Sequence, residues 1–351
     1  MYSAWSGDAP RGVALSLDRA DPEKGSMIVD AHAHVFDRLS GVSGRGATQP
    51  LPHGKARLGT GEIIRLLPPL VTDTCFSTEV LLEHMDWAGV DKAVLLQAPL
   101  YGDMNAYVHA AMQQWPDRFI GAALVDPWAA SAPATFDYLV SDLGFAAIKL
   151  ELSEAGGLGR LHKDLHLVDS SIHWFWEGVN RHGLTVTLDL GFIGGRSYQT
   201  KELQNLIEAY PAARWVIAHL GWPSPQIRLR PEVEAAWVEQ VLLAKHPNVW
   251  LDLAALPSQF ADEDYPYPSV GKFVCRAIEL VGAERLLWGT DVPAMLTMLT
   301  YQQMQDLFMR HCDCISQTDR KLIFAANALT AYGRASQVEC QELHSSSREN
   351  M

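Results

Sequence analysis

In Ile28-Val29-Asp30-Ala31-His32-Ala33-His34-Val35, two histidines stand two positions apart inside an apolar, β-branched run. Side chains alternate faces along a strand, so His32 and His34 point the same way. Two imidazoles on one face make a chelating pair for a divalent ion. A catalytic ion commonly takes a third protein ligand and keeps one position open. Three residues that close apolar runs are candidates to complete the set: Asp189 in Thr187-Leu188-Asp189-Leu190-Gly191, His219 in Val216-Ile217-Ala218-His219-Leu220-Gly221, and Asp291 in Trp288-Gly289-Thr290-Asp291-Val292-Pro293.

Residues so far apart in sequence need a scaffold that gathers strand ends. The chain alternates short β-branched runs with amphipathic segments of ten or more residues, a βα rhythm. Strands are expected at 28–34, 92–97, 119–125, 146–150, 184–190, 215–219, 249–253 and 286–291. Helices are expected at 78–87, 105–115, 134–142, 172–182, 201–210, 232–245 and 272–281, several of them ending at a glycine such as Gly89, Gly183 or Gly282. An open doubly wound sheet alternates in the same way. The polar residues separate the two: His34, Gln97, Asp126, Lys149, Asp189, His219 and Asp291 each sit at the C-terminal end of an apolar run. A barrel brings all such ends to one mouth. The expected fold is therefore α/β, a (β/α)₈ TIM barrel over residues 27–333, with a flexible leader at 1–26 and a flexible polar tail at 334–351. Two long connections, 37–75 and 255–268, follow strands and are expected to rise over the mouth as lids or binding loops.

Composition narrows the function. The chain has 351 residues, enough for one barrel, and a formal charge of −13 from 41 acidic and 28 basic residues, which disfavours a nucleic-acid partner. No apolar run is long enough to span a membrane, and the first 26 residues lack the apolar core of a secretory signal. The five cysteines, Cys75, Cys275, Cys312, Cys314 and Cys340, are odd in number and lack metal-binding spacing, so they read as ordinary thiols in a reducing, cytoplasmic compartment.

Asp30-Ala31-His32-Ala33-His34, His219-Leu220-Gly221, Trp288-Gly289-Thr290-Asp291-Val292-Pro293 and Asn327-Ala328-Leu329 together resemble the amidohydrolase-related family, over about 27–333. That family contains decarboxylases of aromatic or muconate-type acids, a hydratase, and lactonases. The resemblance implies that His32 and His34 are metal ligands, that Asp291 both contacts metal and moves protons, and that His219 polarises the substrate. Asp189 departs from the pattern, because decarboxylase relatives usually carry a metal-binding histidine there and some lactonase-like members need no metal. A carboxylate at that position suits zinc, manganese or magnesium and leans toward harder ions. One divalent ion, zinc ahead of manganese or magnesium, is the expected cofactor.

Lys149 ends the fourth strand, where binuclear relatives carry a bridging carboxylated lysine. It reads instead as a buried cation that grips a substrate carboxylate or pairs with Glu151. Gly191-Phe192-Ile193-Gly194-Gly195-Arg196 matches no phosphate-loop spacing, and Arg196 is kept as an anchor for an anionic substrate. Gln97, Tyr101, Trp128 and Trp222 complete the expected substrate wall, suited to a small cyclic or aromatic acid. The leading expectation is metal-assisted hydrolysis of a lactone or amide. The alternatives are non-oxidative decarboxylation by the same residues and, from another class, a barrel that binds without catalysis. Its partner is a small molecule, and pairing into a homodimer stays open.

Overall fold

The computed structural model describes residues 26–333 apart from 44, 45, 70, 71 and 155. The expected tail, and all of the expected leader but Ser26, lie outside the described residues. Eight strands form one parallel sheet: β1 (Val29–His34), β2 (Lys92–Leu96), β3 (Phe119–Leu124), β4 (Ala147–Glu151), β5 (Thr185–Asp189), β6 (Arg214–Ile217), β7 (Val249–Asp252) and β8 (Leu286–Leu287). Each pairs with its neighbours in chain order. The sheet closes on itself where Ala31 N–H donates to the Trp288 carbonyl at 2.9 Å, Asp291 N–H to that of His32 at 2.7 Å and His34 N–H to that of Val292 at 2.8 Å. This is the TIM barrel expected from the βα rhythm.

The strands are apolar on both faces because both are covered. Their inward side chains, including Val29, Ala31, Val94, Leu96, Val216 and Leu287, form a small inner core with Ala325, Ala328, Ala331 and Tyr332 of the final helical segment. That segment plugs the N-terminal end of the barrel, where the Thr187 and Tyr332 hydroxyls lie 2.6 Å apart and Asn327 Nδ2 donates to the carbonyls of Ala283 and Leu286. Outward side chains pack against the surrounding helices in a larger core. The opposite end, where the strands terminate, is left for polar groups.

Several strands end one residue sooner than the sequence pattern suggests, and two end sooner by more. β6 stops at Ile217 and β8 at Leu287. His219, Leu220 and Trp222 take φ of 56°, 52° and 60°, and Asp291 takes 61°, left-handed values that end a pleated strand. The helices Tyr301–Arg310 and Gln317–Lys321 were not among the expected elements, although each opens on a capping box, Thr300 with Gln303 and Ser316 with Asp319. The first is missed although Tyr301, Met304, Leu307 and Phe308 carry helical spacing; the second is short and buries none of its residues.

Among the described residues, neither long connection contributes to the central cavity described below, contrary to expectation. The 37–75 segment instead folds into short antiparallel pairs. It buttresses the connection after β2, with Val42 N–H donating to Pro99 O and Ser40 N–H to Tyr101 O. Cys275 and Cys314 are joined as a disulfide rather than standing as ordinary thiols. The helix Pro268–Val281 brings Cys275 to a partner 39 positions away, a proximity no spacing rule reveals. The cysteine count therefore no longer argues for a reducing compartment. Among the described residues no helix is long and apolar enough to cross a membrane.

Candidate active site

The strand ends surround a cavity of about 170 Å³ walled by His32, His34, Tyr101, Lys149, Glu151, Ser153, Asp189, His219, Trp222 and Asp291, with Ala98, Leu100 and Gly156 filling gaps. β1 supplies the two histidines. Asp30 anchors their strand from below: it accepts from Thr290 N–H and Oγ1, from the Tyr301 hydroxyl and from His32 N–H, at 2.6 to 3.0 Å. Burial raises its pKa to about 6 against the pull of these donors. The brace ties β1 to the chain beyond β8, and Gly289 lets them touch, since a Cβ there would fall 2.8 Å from His32 Cβ. Asp291 is thereby brought beside the histidine pair.

His34 Nε2 lies 3.0 Å and His32 Nε2 3.7 Å from Asp291 Oδ1. The other ring nitrogens are already engaged, His34 Nδ1 with the Leu96 carbonyl and His32 Nδ1 with the Asp252 carboxylate, both at 2.9 Å. A neutral imidazole has one proton, so Asp252 holds that of His32 on Nδ1 and leaves its Nε2 bare, while His34 Nε2 stands within hydrogen-bond distance of Asp291. His32 Nε2 is buried with no hydrogen-bond partner. Burial first, and then the Lys149 charge, lowers the His32 pKa to about 4, which keeps the ring neutral. A bare, buried imidazole nitrogen and a second imidazole, both facing one carboxylate, make a ligand set for a cation. Two ligand bonds of about 2.1 Å meeting near the tetrahedral angle span about 3.4 Å, between the two observed separations. His32, His34 and Asp291 therefore fit a single divalent ion, and their ligand atoms all lie within 4.8 Å of one another.

Asp189 does not join them. One of its oxygens accepts from Trp222 Nε1 at 2.6 Å and from Gly191 N–H at 2.8 Å, and the other lies 3.4 Å from His219 Nε2. The metal-ligand expectation for Asp189 is corrected: its carboxylate is taken up by His219 and Trp222, because the left-handed turn after β6 swings both toward β5. His219 faces an acceptor at each ring nitrogen, Asp189 at one and the Ala254 carbonyl, 3.0 Å away, at the other. Burial would lower its pKa, but Asp189, then Asp252 and Asp291, raise it to about 9. His219 is thus a buried imidazolium. For Asp291, burial works the other way, yet the hydrogen bond to His34 and the neighbouring rings hold its pKa below the ordinary value. It keeps 20% of its side-chain surface open to the cavity.

Lys149 and Glu151 project from β4 into the same cavity, 3.6 Å apart. Burial, and then the charge of Asp189, lifts the Glu151 pKa to about 8. Glu151 is the cross-strand partner of Asp189, so the two carboxyl groups are neighbours on one face. Tyr101 sits 5.1 Å from His34, ring to ring, and is stacked on Phe36. Trp222 forms the opposite aromatic side, with exposed Phe192 edge-on against it.

Three expected wall residues lie elsewhere. Gln97 is buried structurally, donating to Asn105 Oδ1 and Ala122 O while accepting from Met104 N–H. Arg196 is 60% exposed and paired with Glu154, because its loop turns outward after Gly194. Trp128 packs beside His162, which is paired with Asp126, and does not reach the cavity. Conversely, Asp252 was missed. It closes the apolar run Val249-Trp250-Leu251-Asp252, the same signal that marked the other strand ends, but a strand drawn through Leu253 conceals it.

A family model described as Amidohydrolase matches residues 29–334. No curated protein matches the chain. Among solved structures, a probable 2-pyrone-4,6-dicarboxylic acid hydrolase from Acinetobacter baumannii with citric acid bound is similar at 20% identity and a TM-score of 0.63, over 87% of this chain and 99% of that one. An amidohydrolase from Burkholderia multivorans with bound zinc is similar at 16% identity and TM-score 0.63, over 88% and 100%. A 5-carboxyvanillate decarboxylase from Sphingomonas paucimobilis is similar at 15% identity and TM-score 0.50, over 72% and 82%. These likenesses bear on the fold, while the family match extends over nearly the whole barrel. The chain belongs to the amidohydrolase family.

Proposed function

We propose that this protein is a metal-dependent hydrolase of a small cyclic or aromatic carboxylic acid derivative, a lactone or amide opened by water. The observation that carries the reading is the convergence of the unpartnered His32 Nε2, His34 Nε2 and the Asp291 carboxylate on one cavity wall. His32, His34 and Asp291 would hold the ion, zinc by preference given the imidazole ligands. Zinc is also the ion bound in the similar Burkholderia structure. A divalent ion there would supply Lewis acidity to a carbonyl and to water.

The protein's own groups divide the remaining work. Asp291, ionised and partly open, takes a proton from the attacking water. His219, protonated, shares its Nε2–H, 3.4 Å from Asp189, with the oxygen on which negative charge develops. Lys149 holds a substrate carboxylate, supported by its burial and, among the described residues, by having Glu151 as its one ion-pair partner. Trp222 and Tyr101 flank a flat ring. The small cavity limits the substrate to roughly one ring with its substituents.

The test is a panel of small lactones and amides bearing one or two carboxylates, assayed by proton release for the lactones, by amine release for the amides, and by carbon dioxide evolution for both. Proton or amine release without gas supports hydrolysis. Carbon dioxide from an aromatic or muconate-type acid, with no lactone turned over, would replace it by decarboxylation.

A further inference from the structure

We propose that Asp252 is the positioning residue of this site, one carboxylate that sets the His32 tautomer for metal capture and at the same time seats His219. The inference rests on the metal reading above. Asp252 closes β7 and is fully buried. Its Oδ2 accepts from His32 Nδ1–H at 2.9 Å, while Oδ1 accepts the backbone N–H groups of His219 at 2.9 Å and Ala254 at 3.1 Å. The two oxygens therefore reach two different functional residues on β1 and on the turn after β6.

The consequence for His32 follows from counting protons. If the single proton of the neutral ring sat on Nε2, the Nδ1 lone pair would face a carboxylate oxygen at 2.9 Å, which is repulsive. With the proton on Nδ1, the bare atom is Nε2, the same atom that is buried without a partner and directed at Asp291 and His34. Carboxylate partners of this kind orient a ligating histidine and raise its basicity. His34 is fixed in the same sense by a backbone carbonyl, so Asp252 is the side-chain control of the pair. For His219 the contribution is positional. Its φ of 56° is unfavourable for a residue with a side chain, and capture of its N–H by Oδ1 holds the turn that aims the ring at the cavity.

The experiment uses the full chain with ¹⁵N-labelled histidine, stripped of metal, and long-range proton–nitrogen correlation. The His32 signals are identified by their loss in His32→Gln. Wild type should show His32 protonated at Nδ1 and bare at Nε2. In Asp252→Asn the amide oxygen can still accept the two backbone N–H groups, but its NH₂ faces His32 Nδ1. The proton should then move to Nε2, and zinc affinity, read by competition with a chromophoric chelator, should fall about 10- to 100-fold. A folded variant with unchanged tautomer overturns the proposal, even if zinc affinity drops, because the role would then be merely structural. Wild-type zinc binding that does not respond to the variant also overturns it. Should the variant fail to fold, the wild-type tautomer decides: a proton on Nε2 overturns the proposal and one on Nδ1 supports it. Failure of wild type to bind zinc would instead overturn the metal reading itself.

Discussion

Asp189 and His219, at the ends of neighbouring strands, face each other at 3.4 Å, and Trp222 Nε1 donates to the other oxygen of the same carboxylate. A residue whose position suggests a metal ligand is thereby the counter-ion of a buried imidazolium. The centre falls into two parts, the ligand set of His32, His34 and Asp291, and a charged wall of Lys149, Glu151, Asp189 and His219.

The ion pair has a pH signature. In metal-free protein, His219 should titrate near pH 9. Asp189→Asn should lower that midpoint by about 1 to 3 units. A raised pKa contributes stability that is complete below the ordinary value of 6.5 and is lost as pH rises through 9. The thermal midpoint of wild type should thus decline more steeply across that interval than that of the variant. An NMR titration showing the same His219 midpoint in both proteins would remove Asp189 as the cause.

Asp291→Asn should lower kcat by about 10²- to 10⁴-fold, the scale of a lost proton-transfer group, with little change in far-UV circular dichroism. Turnover within a factor of a few of wild type, measured on the best substrate of the lactone panel, would take Asp291 out of the chemistry.

Removal of metal by a chelator should abolish turnover, and zinc should restore it. Because the ion would bind the native state only, zinc at about 100 times its Kd should add about 2.7 kcal/mol to stability, visible as a raised thermal midpoint. Activity that survives exhaustive chelation, checked by elemental analysis, would contradict a metal-dependent reaction.

Asp30→Ala should destabilise the fold by several kcal/mol, since it orphans four donors and each buried unsatisfied group costs about 1–3 kcal/mol. Asp30→Asn retains one acceptor and should lose less. Urea denaturation of the two variants measures the difference; equal losses would show that the bonds Asn retains, from the His32 and Thr290 N–H groups, contribute little.

Gly289→Ala should weaken zinc binding as well as stability, because the added Cβ would meet His32 Cβ and N at 2.8 and 3.1 Å and push β1 away from Asp291. Calorimetric zinc affinity equal to that of wild type would show that β1 and the Asp291 segment move together.

Much of this was readable before any coordinates. Each barrel strand announces itself as a mostly apolar run, because a strand covered on both faces has little room for polar residues. Most ionisable groups of the strands gather at the open end, so His34, Lys149, Asp189 and Asp291 stand out by position; Asp30, Thr185 and Thr187 are buried elsewhere along the strands. Gln97 shows the limit of that signal. It too closes an apolar run, but its amide is consumed by Asn105 and by backbone carbonyl and N–H groups nearby. Asp252 shows the opposite error, a functional position concealed by a one-residue misjudgement of where a strand ends.

By itself the sequence determined the barrel, its strand order and the pairing of His32 with His34 on one face, since these follow from local periodicity and the alternation of side chains. Only the tertiary structure decided which third residue meets the pair, which acceptor holds each imidazole proton, and that Asp189 belongs to His219. Those outcomes depend on ångström-scale approaches between strands far apart in the chain and on the left-handed turns at His219 and Asp291. Residue type and spacing carry no record of either.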